Sequence, residues 1–354
     1  MSREHGTPVG GRGGPVANLR GYLAPFAKTA LLRSGGYEGI RRLSPSRHAA
    51  ILRYHAICGE EGYAYADPGI CVTPAAFAEH ARYLAAHYSV LPMPEVVERI
   101  RHRRALPSNC VVITFDDGYS DNLAAARTLE RHGISATFFI TAGCLAGGAP
   151  FWPAEIRALV AAVTQPELTL TLGGSPLRIA LKDAADRGRA VKTLNRLFKS
   201  HPIPVREDLR EQLRGATGLP AVTSCMLTWD DLADMHRMGM TIGAHTVTHP
   251  NLPSAGLEPA RQEITGSKAR LERELGCPVT MFSYPNGGAE RYYTPALQRV
   301  VEESGFAAAA TSQNAFATAR SHLYALERVE VEERLEDLVF ALEVERFAFR
   351  PSAR

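Results

Sequence analysis

The chain has 354 residues, 45% of them hydrophobic, and its 40 basic and 37 acidic side chains give a formal net charge of +3. This composition supports one large domain with residues to spare, and so small a charge gives no reason to expect a nucleic-acid partner. The six cysteines are scattered without a CxxC pair, so we expect buried free thiols in a reducing compartment rather than a disulfide framework.

Residues 1–48 form an extension ahead of the main domain. Residues 1 to about 17 are rich in Gly, Pro and Arg, which predicts disorder. The following residues have helical apolar spacing, and we favour a helical extension packed on the main domain over a basic segment lying on a membrane surface. We find no secretory signal and no run of roughly 18 apolar residues. We therefore expect a cytoplasmic protein, with peripheral contact to the inner membrane face left open.

Short apolar strands alternate with amphipathic helical stretches from residue 49 to about residue 345. The predicted strands occupy residues 49–55, 110–115, 136–141, 240–245, 279–285 and 306–311. Strands that alternate with helices indicate a parallel sheet, and this number of repeats favours a closed or nearly closed barrel over an open sheet. We therefore predict an α/β barrel over residues 49–345, followed by a tail at residues 346–354.

One segment, at about residues 165–225, breaks this alternation. It contains "LTLTLGGSPLRIAL", which predicts a hairpin around Gly173 and Gly174, and then two charged helical stretches. Because the segment lies on a connection between barrel strands, we expect it to overhang the barrel mouth and to shape access for substrate.

Polar side chains follow four of the predicted strands directly. They are His55, the pair Asp116 and Asp117, the pair His245 and His249, and residues 284–286. In barrels of this kind the active site lies at the carboxyl ends of the strands, and packing alone does not explain four polar groups at one end. The sequence therefore predicts a site at this end of the barrel.

The stretch "HTVTHP", residues 245–250, is typical of a metal-binding loop when a carboxylate accompanies it. Pro250 and the β-branched residues before it disfavour a helix, so we expect a tight loop that turns both imidazoles inward. Two imidazoles and one carboxylate form a common site for a divalent metal with open positions. One of the two aspartates would then bind the metal, and the other would accept a proton.

At these residues the chain resembles the polysaccharide deacetylases, carbohydrate esterases of family 4 that share the chitooligosaccharide-deacetylase homology domain. The T-F-D-D-G motif is present at residues 114–118 and the H-[ST]-x-x-H motif at residues 245–249, and the resemblance spans roughly residues 50–335. It implies a distorted (β/α)₇ barrel that removes N-acetyl groups from amino sugars with a divalent metal.

The resemblance assigns roles to these residues one by one. Asp116 would be the general base, and Asp117 would bind the metal with His245 and His249. Thr246 would support the histidine loop by hydrogen bonding. The metal would be Zn²⁺, with other first-row divalent ions as alternatives.

The third family motif is often R-x-P-Y, and here residues 283–286 read Ser-Tyr-Pro-Asn. This variant resembles the branch that acts on bacterial exopolysaccharides. The backbone N–H of Asn286 would stabilise the oxyanion, Tyr284 would contact substrate and Pro285 would support the turn. The arginine that usually orients the base is absent from the motif, which leaves the partner of Asp116 unassigned.

The general acid has no clear motif in this sequence. His322, in "SHLYALERVEV", occupies about the region of the family's late histidine, and we name it as the candidate acid. His55 is a second polar candidate for the pocket, although a core histidine would have the same pattern. Trp152 could line the sugar site, since a flat apolar ring suits a pyranose.

We therefore predict a hydrolase that releases acetate from N-acetylated amino sugars of a polysaccharide or a glycan precursor. Two other functions remain open. One is a catalytically idle sugar-binding protein on the same barrel, which the absent arginine would favour. The other is a metal amidase acting on another N-acyl or cyclic amide compound.

Overall fold

The computed structural model describes residues 25–219, 222–287 and 292–348. The disorder expected for residues 1–17 and the tail beyond residue 348 lie outside the described residues. The predicted barrel strands are all present, and each begins or ends within a few residues of the expected position. A further strand, which the sequence pattern did not predict, completes the sheet at residues 326–330.

Seven parallel strands form a closed barrel, which confirms the predicted (β/α)₇ class. In chain order they are β1 (Ala49–Tyr54), β3 (Cys110–Phe115), β4 (Thr137–Ile140), β7 (Thr241–Ala244), β8 (Met281–Ser283), β9 (Ala308–Asn314) and β10 (Leu326–Glu330). The barrel closes where β1 pairs with β3 along its whole length, from Ala49 opposite Cys110 to Tyr54 opposite Phe115. The two-residue strand β2 (Ser89–Val90) pairs with the start of β3 and β4 pairs with its end, which distorts the barrel at this point.

Helices surround the barrel. They are α1 (Pro25–Arg33), α2 (Gly36–Leu43), α3 (Pro74–His87), α4 (Met93–Arg101), α5 (Asn122–Arg131), α6 (Trp152–Ala162), α7 (Ala184–Ser200), α8 (Ile203–Thr217), α9 (Trp229–Arg237), α10 (Leu252–Ala255), α11 (Leu257–Leu275), α12 (Pro295–Glu303) and α13 (Leu335–Glu343). Local sequence sets several of their starts. Thr73 caps α3 ahead of a proline, and Thr228 and Asp231 form a reciprocal capping box at α9.

The insertion between β4 and β7 folds as a hairpin followed by two helices. Strands β5 (Glu167–Leu172) and β6 (Ser175–Ala180) are antiparallel. Gly173 and Gly174 connect them with φ values of 59° and 79°, a left-handed pair that glycine adopts without strain. The hairpin, α7 and α8 share an apolar core with α6, centred on the fully buried Leu194. The insertion is therefore attached to the barrel through α6.

The N-terminal helices α1 and α2 pack against α13 at the other end of the chain. Lys28 forms an ion pair with Asp337 at 2.7 Å, and Arg41 forms one with Glu343 at 3.2 Å. Glu343 also pairs with the buried Arg346 at 3.1 Å, so loss of Glu343 would leave two buried guanidinium groups without a carboxylate, which is strongly destabilising. No helix within the described residues is long and apolar enough to span a membrane.

Candidate active site

The period of two along each strand determines which side chains fill the barrel. Along β3, Val112 lies in an apolar layer at the bottom of the barrel, and Thr114 and Asp116 follow at the same spacing. On β10 the same alternation places Leu326 in the apolar layer and Arg328 above it. The barrel is therefore apolar at the amino ends of its strands and polar at the carboxyl ends, where the site was expected.

Strained backbone is concentrated at this polar end. Six non-glycine residues of the described chain have a positive φ, and four of them belong to the site: Asp117 (77°), Thr246 (66°), His249 (56°) and Asn286 (74°). A non-glycine residue in this region costs of order 1 kcal/mol or more and persists only where the surroundings impose it. The fold thus maintains an unfavourable backbone at the residues whose chemistry is of interest.

Asp117, His245 and His249 come together as a buried cluster. The Nε2 atoms of His245 and His249 lie 3.4 Å and 3.3 Å from Oδ1 of Asp117, and one ligand atom from each of the three residues lies within 4.8 Å of the others. The sequence predicted this set from two loops about 130 residues apart, and the structure places the three side chains together.

The hydrogen bonds of the cluster favour a cation at its centre. Nδ1 of His245 lies 2.8 Å from the carbonyl oxygen of Ser283. A carbonyl only accepts, so Nδ1 carries a proton, and Nε2 is the nitrogen that faces Asp117 and is available to a metal. Burial lowers the pKa of His249 despite the neighbouring Asp117, which favours the neutral form of that ring. Two imidazole nitrogens and one carboxylate oxygen that converge in this way form a donor set that a divalent metal binds. The donor set therefore fits a metal.

Asp116 lies beside the cluster and is bound by an arginine from β10. Nη1 and Nη2 of Arg328 donate to Oδ1 and Oδ2 of Asp116 at 2.7 Å and 2.6 Å. Arg328 is itself held by the carbonyl oxygen of Thr311 at 2.7 Å and by Oγ of Ser283 at 3.0 Å. Burial would raise the pKa of Asp116, but the guanidinium outweighs burial and holds the pKa well below its usual range. Asp116 is therefore ionised.

Arg328 corrects the sequence interpretation. The motif at residues 283–286 has no arginine, and the partner of Asp116 was left unassigned on that ground. The structure supplies the guanidinium from a strand that the sequence pattern did not predict. The segment Leu326–Glu330 has three charged side chains and no alternation of apolar and polar residues, so it has no strand signal that would have identified Arg328.

His55 is brought into the site, where its Nε2 lies 3.9 Å from Oδ2 of Asp116. Burial, together with Arg53 and Arg328, lowers the pKa of His55 to about 4 against the opposing effect of the two aspartates. The imidazole is therefore neutral at pH 7 and able to accept a proton. The sequence left two positions open for His55, the pocket or the core, and the structure places it in the pocket.

The histidine loop is held by groups that the sequence did not identify. The carboxylate of Glu263, on α11, accepts hydrogen bonds from the N–H groups of Val247 and Thr248 at 2.8 Å each, and from the hydroxyl of Thr248 at 2.7 Å. Arg206, from α8 of the insertion, donates to the carbonyl and the hydroxyl of Thr248 at 3.2 Å and 3.0 Å. Both Glu263 and Arg206 are buried, so the loop is fixed from two sides.

Two further predicted residues also support this loop. Oγ1 of Thr246 accepts a hydrogen bond from the N–H of His249 at 3.0 Å, which is the kind of support expected for it. Nε1 of Trp152 donates to the carbonyl oxygen of His249 at 2.9 Å, and the ring is only 1% exposed. Trp152 borders the cavity, but its main contacts are with the loop and with Phe198 rather than with solvent.

The turn at residues 283–286 contributes one residue to the cavity. Asn286 lines the cavity, and its Nδ2 donates to the carbonyl oxygen of Pro250 at 3.3 Å. Pro285 connects it to β8. Tyr284 points the other way: its hydroxyl donates to the carbonyl oxygen of Tyr324 at 3.1 Å, and its ring stacks on Tyr293. Tyr284 therefore packs in the core between barrel and helices, and the expected substrate contact does not fit its position.

His322 does not join the site either. It is exposed and caps the short 3₁₀ helix Leu323–Ala325, immediately before the amino end of β10. Because the barrel strands are parallel, this is the end opposite to Asp116. His322 is not among the residues that line the cavity, so its position does not fit the expected role of proton donor to the leaving group.

The polar end of the barrel opens into a cavity of about 350 Å³. Its floor contains Asp116, Asp117 and both histidines of the loop. One wall is formed by the insertion, through Asn195 and Lys199 of α7. The expected position of the insertion over the barrel mouth agrees with this arrangement.

A family model for polysaccharide deacetylases matches residues 103–165 and 204–309, which include both aspartates, both histidines and Asn286. The chain belongs to the polysaccharide deacetylase family. The match leaves out residues 166–203, so the hairpin and α7 of the insertion are additions to the shared pattern. Family and fold together assign the chain to the carbohydrate deacetylases.

Relatives of this deacetylase support the assignment. One relative is YxkH of Bacillus subtilis (strain 168), a protein named for the polysaccharide deacetylases. It is 23% identical to this chain over 299 residues, which are 83% of this chain and 75% of YxkH. Among solved structures, the deacetylase PplD of Streptococcus pyogenes in complex with acetate superimposes with a TM-score of 0.56 at 18% identity, covering 85% of this chain and 99% of PplD. IcaB from Ammonifex degensii gives 0.53 at 16% identity, with 85% and 99% covered. At these identities the two structures show a shared fold.

Proposed function

We propose that this chain is a metal-dependent N-deacetylase that acts on acetylated amino sugars of a glycan. The observation that carries the proposal is the buried cluster of Asp117, His245 and His249, with the ionised Asp116 beside it on the floor of an open cavity. When bound to these three side chains, a divalent metal such as Zn²⁺ lowers the pKa of water and polarises the acetyl carbonyl.

The two aspartates differ in the groups that bind them, and this difference supports a division of roles. Asp117 faces two imidazole nitrogens, whereas both oxygens of Asp116 face the guanidinium of Arg328. The bidentate pair fixes the orientation of Asp116. In our proposal Asp116 accepts a proton from the attacking water, and Arg328 is the residue that positions it.

His55 replaces His322 as the group that protonates the departing nitrogen. Its imidazole is neutral and lies 3.9 Å from Asp116, so a proton taken up at Asp116 can pass to His55 and then to the leaving amine. The backbone N–H of Asn286, in the strained turn that borders the cavity, is our candidate donor to the oxyanion. The products are acetate and a free amino sugar.

The motif at residues 283–286 supports a bacterial exopolysaccharide, or a precursor of one, as the glycan. A location in the cytoplasm or at the inner membrane face remains part of this proposal. The idle sugar-binding alternative loses its main support, because the arginine that the motif lacks is present at position 328.

Acetate release from a neutral oligomer of N-acetylglucosamine, with Zn²⁺ or Co²⁺ added to metal-free protein, tests the proposal. Asp116→Asn should stay folded and bind metal, at a lower stability because the buried guanidinium of Arg328 loses its carboxylate partner, and it should lose about 10²–10⁴-fold in kcat. His55→Gln should also lose activity, whereas the matched control His322→Gln should retain it. Near-normal turnover by Asp116→Asn would refute the assignment of the base, and a lack of acetate release with any metal, both from this oligomer and from anionic N-acetylated glycans, would refute the hydrolase.

A further inference from the structure

The insertion presents two polar side chains to the cavity from one face of α7. Asn195 and Lys199 are four residues apart, so they lie one above the other on the helix surface, and both line the cavity. They fall within the stretch that the family model does not match. A ligand of these two side chains would therefore be bound in this way only by chains that carry this insertion.

The described residues provide no hydrogen-bond partner for one polar atom of each side chain. Oδ1 of Asn195 is buried without a hydrogen bond. The half-buried ammonium of Lys199 has no hydrogen bond or ion pair within the part of the chain that the structure describes. Burial lowers the pKa of Lys199, and the opposing effect of the nearby Asp117 and Asp67 does not offset it. Such groups cost free energy in the unbound protein, which a ligand would recover.

The charges around the cavity indicate the charge of the ligand that would bind there. Four carboxylates of the described residues line it, and three of them face an arginine: Asp67 pairs with Arg157 at 2.6 Å, Glu330 with Arg53 at 3.4 Å, and Asp116 with Arg328. Among the lining residues that the structure describes, Asp117 and Lys199 remain without an ion-pair partner of this kind. If Asp117 binds a divalent cation, the cavity carries surplus positive charge, and Lys199 adds to it.

We propose that Asn195 and Lys199 bind a negatively charged group of the glycan, a carboxylate or a phosphate, together with a hydroxyl of the same sugar. The ammonium of Lys199 takes the anionic oxygen, and Oδ1 of Asn195 accepts from the hydroxyl. This inference rests on the proposed function, which it narrows to anionic N-acetylated glycans.

The test compares Lys199→Gln, which removes the charge, with Lys199→Arg, which keeps it. Lys192→Gln is the matched control, because Lys192 lies on the same helix and is exposed. Acetate release is measured on a neutral N-acetylglucosamine pentamer, on a hyaluronan hexasaccharide as the carboxylate probe, and on UDP-N-acetylglucosamine as the phosphate probe. We expect Lys199→Gln to lower kcat/KM by about 10-fold or more on one anionic probe, with little change in kcat/KM on the pentamer. Lys199→Arg should retain most of the wild-type kcat/KM on that anionic probe.

A binding experiment separates this inference from the proposed reaction. Calorimetry on the zinc-loaded protein in an Asp116→Asn background, which holds the metal but should not turn over the probe, should show that Lys199→Gln weakens binding of the preferred anionic probe by a similar factor and leaves pentamer binding unchanged. That result would support the inference even if no variant released acetate. Equal losses on neutral and anionic probes, or no loss on any of them, would overturn it.

Discussion

Replacing Glu263 with glutamine should loosen the histidine loop without touching a proposed metal ligand. The carboxylate accepts three hydrogen bonds from the loop, two from the N–H groups of Val247 and Thr248 and one from the hydroxyl of Thr248. A hydrogen bond to a buried carboxylate stabilises by about 1.5–3 kcal/mol and a neutral one by about 1 kcal/mol. Loss of the charge weakens the two N–H bonds and displaces the third. We therefore expect a destabilisation of about 3 kcal/mol.

The same loop carries His245 and His249, so its distortion should appear in metal affinity as well. Loss of a group that holds metal ligands in place commonly weakens binding by about 10–100-fold. Zinc titration by calorimetry and urea unfolding with and without zinc would measure both effects on Glu263→Gln. Glu258→Gln is the control, because Glu258 begins the same helix and its side chain is 71% exposed. Wild-type zinc affinity in Glu263→Gln would show that the loop holds its shape without this carboxylate.

Two further substitutions test the packing of the barrel and of the loop. His80 is fully buried and its pKa is lowered to about 4 by burial, so the unfolded chain takes up a proton first as the pH falls from 6.5 toward 4. The free energy of unfolding should decline by about 3 kcal/mol over this window. His80→Gln should flatten that part of the curve of unfolding free energy against pH, whereas the exposed His132→Gln should not. An unchanged slope in His80→Gln would contradict the prediction. A Cβ on Gly143 would meet the carbonyl oxygen of Val247 at 2.6 Å, so Gly143→Ala should lower the Tm and weaken zinc binding. Gly188→Ala, where a Cβ meets nothing within 4 Å, should do neither, and equal behaviour of the two glycine variants would show that the loop yields without cost.

Short motifs were enough to identify the family and the central residues of the site. Asp116 and Asp117 follow a strand whose six residues are all buried, and His245 and His249 share one loop. Each pair is a local pattern in which a change of polarity marks the carboxyl end of a strand. The insertion was equally visible, because the Gly173–Gly174 turn interrupts an otherwise regular alternation.

The sequence misjudged the residues whose role depends on the register of a distant strand. Arg328 lies 212 residues from Asp116, on a short strand with charged residues that did not resemble a core strand. His322 is six residues away from it in sequence and was chosen by its position along the chain, but the parallel direction of β10 puts it at the opposite end of the barrel. Distance along the chain carries no information about the end of the barrel that a side chain reaches.

The sequence by itself thus determined the fold class, the family, and the aspartates and histidines of the cluster, because strand periodicity and local motifs express them within about ten residues. Only the tertiary structure decided which group orients Asp116, which histidine faces it, and which side chains of the insertion reach the cavity. Those contacts arise when the barrel closes, since closure brings together residues that no local pattern relates.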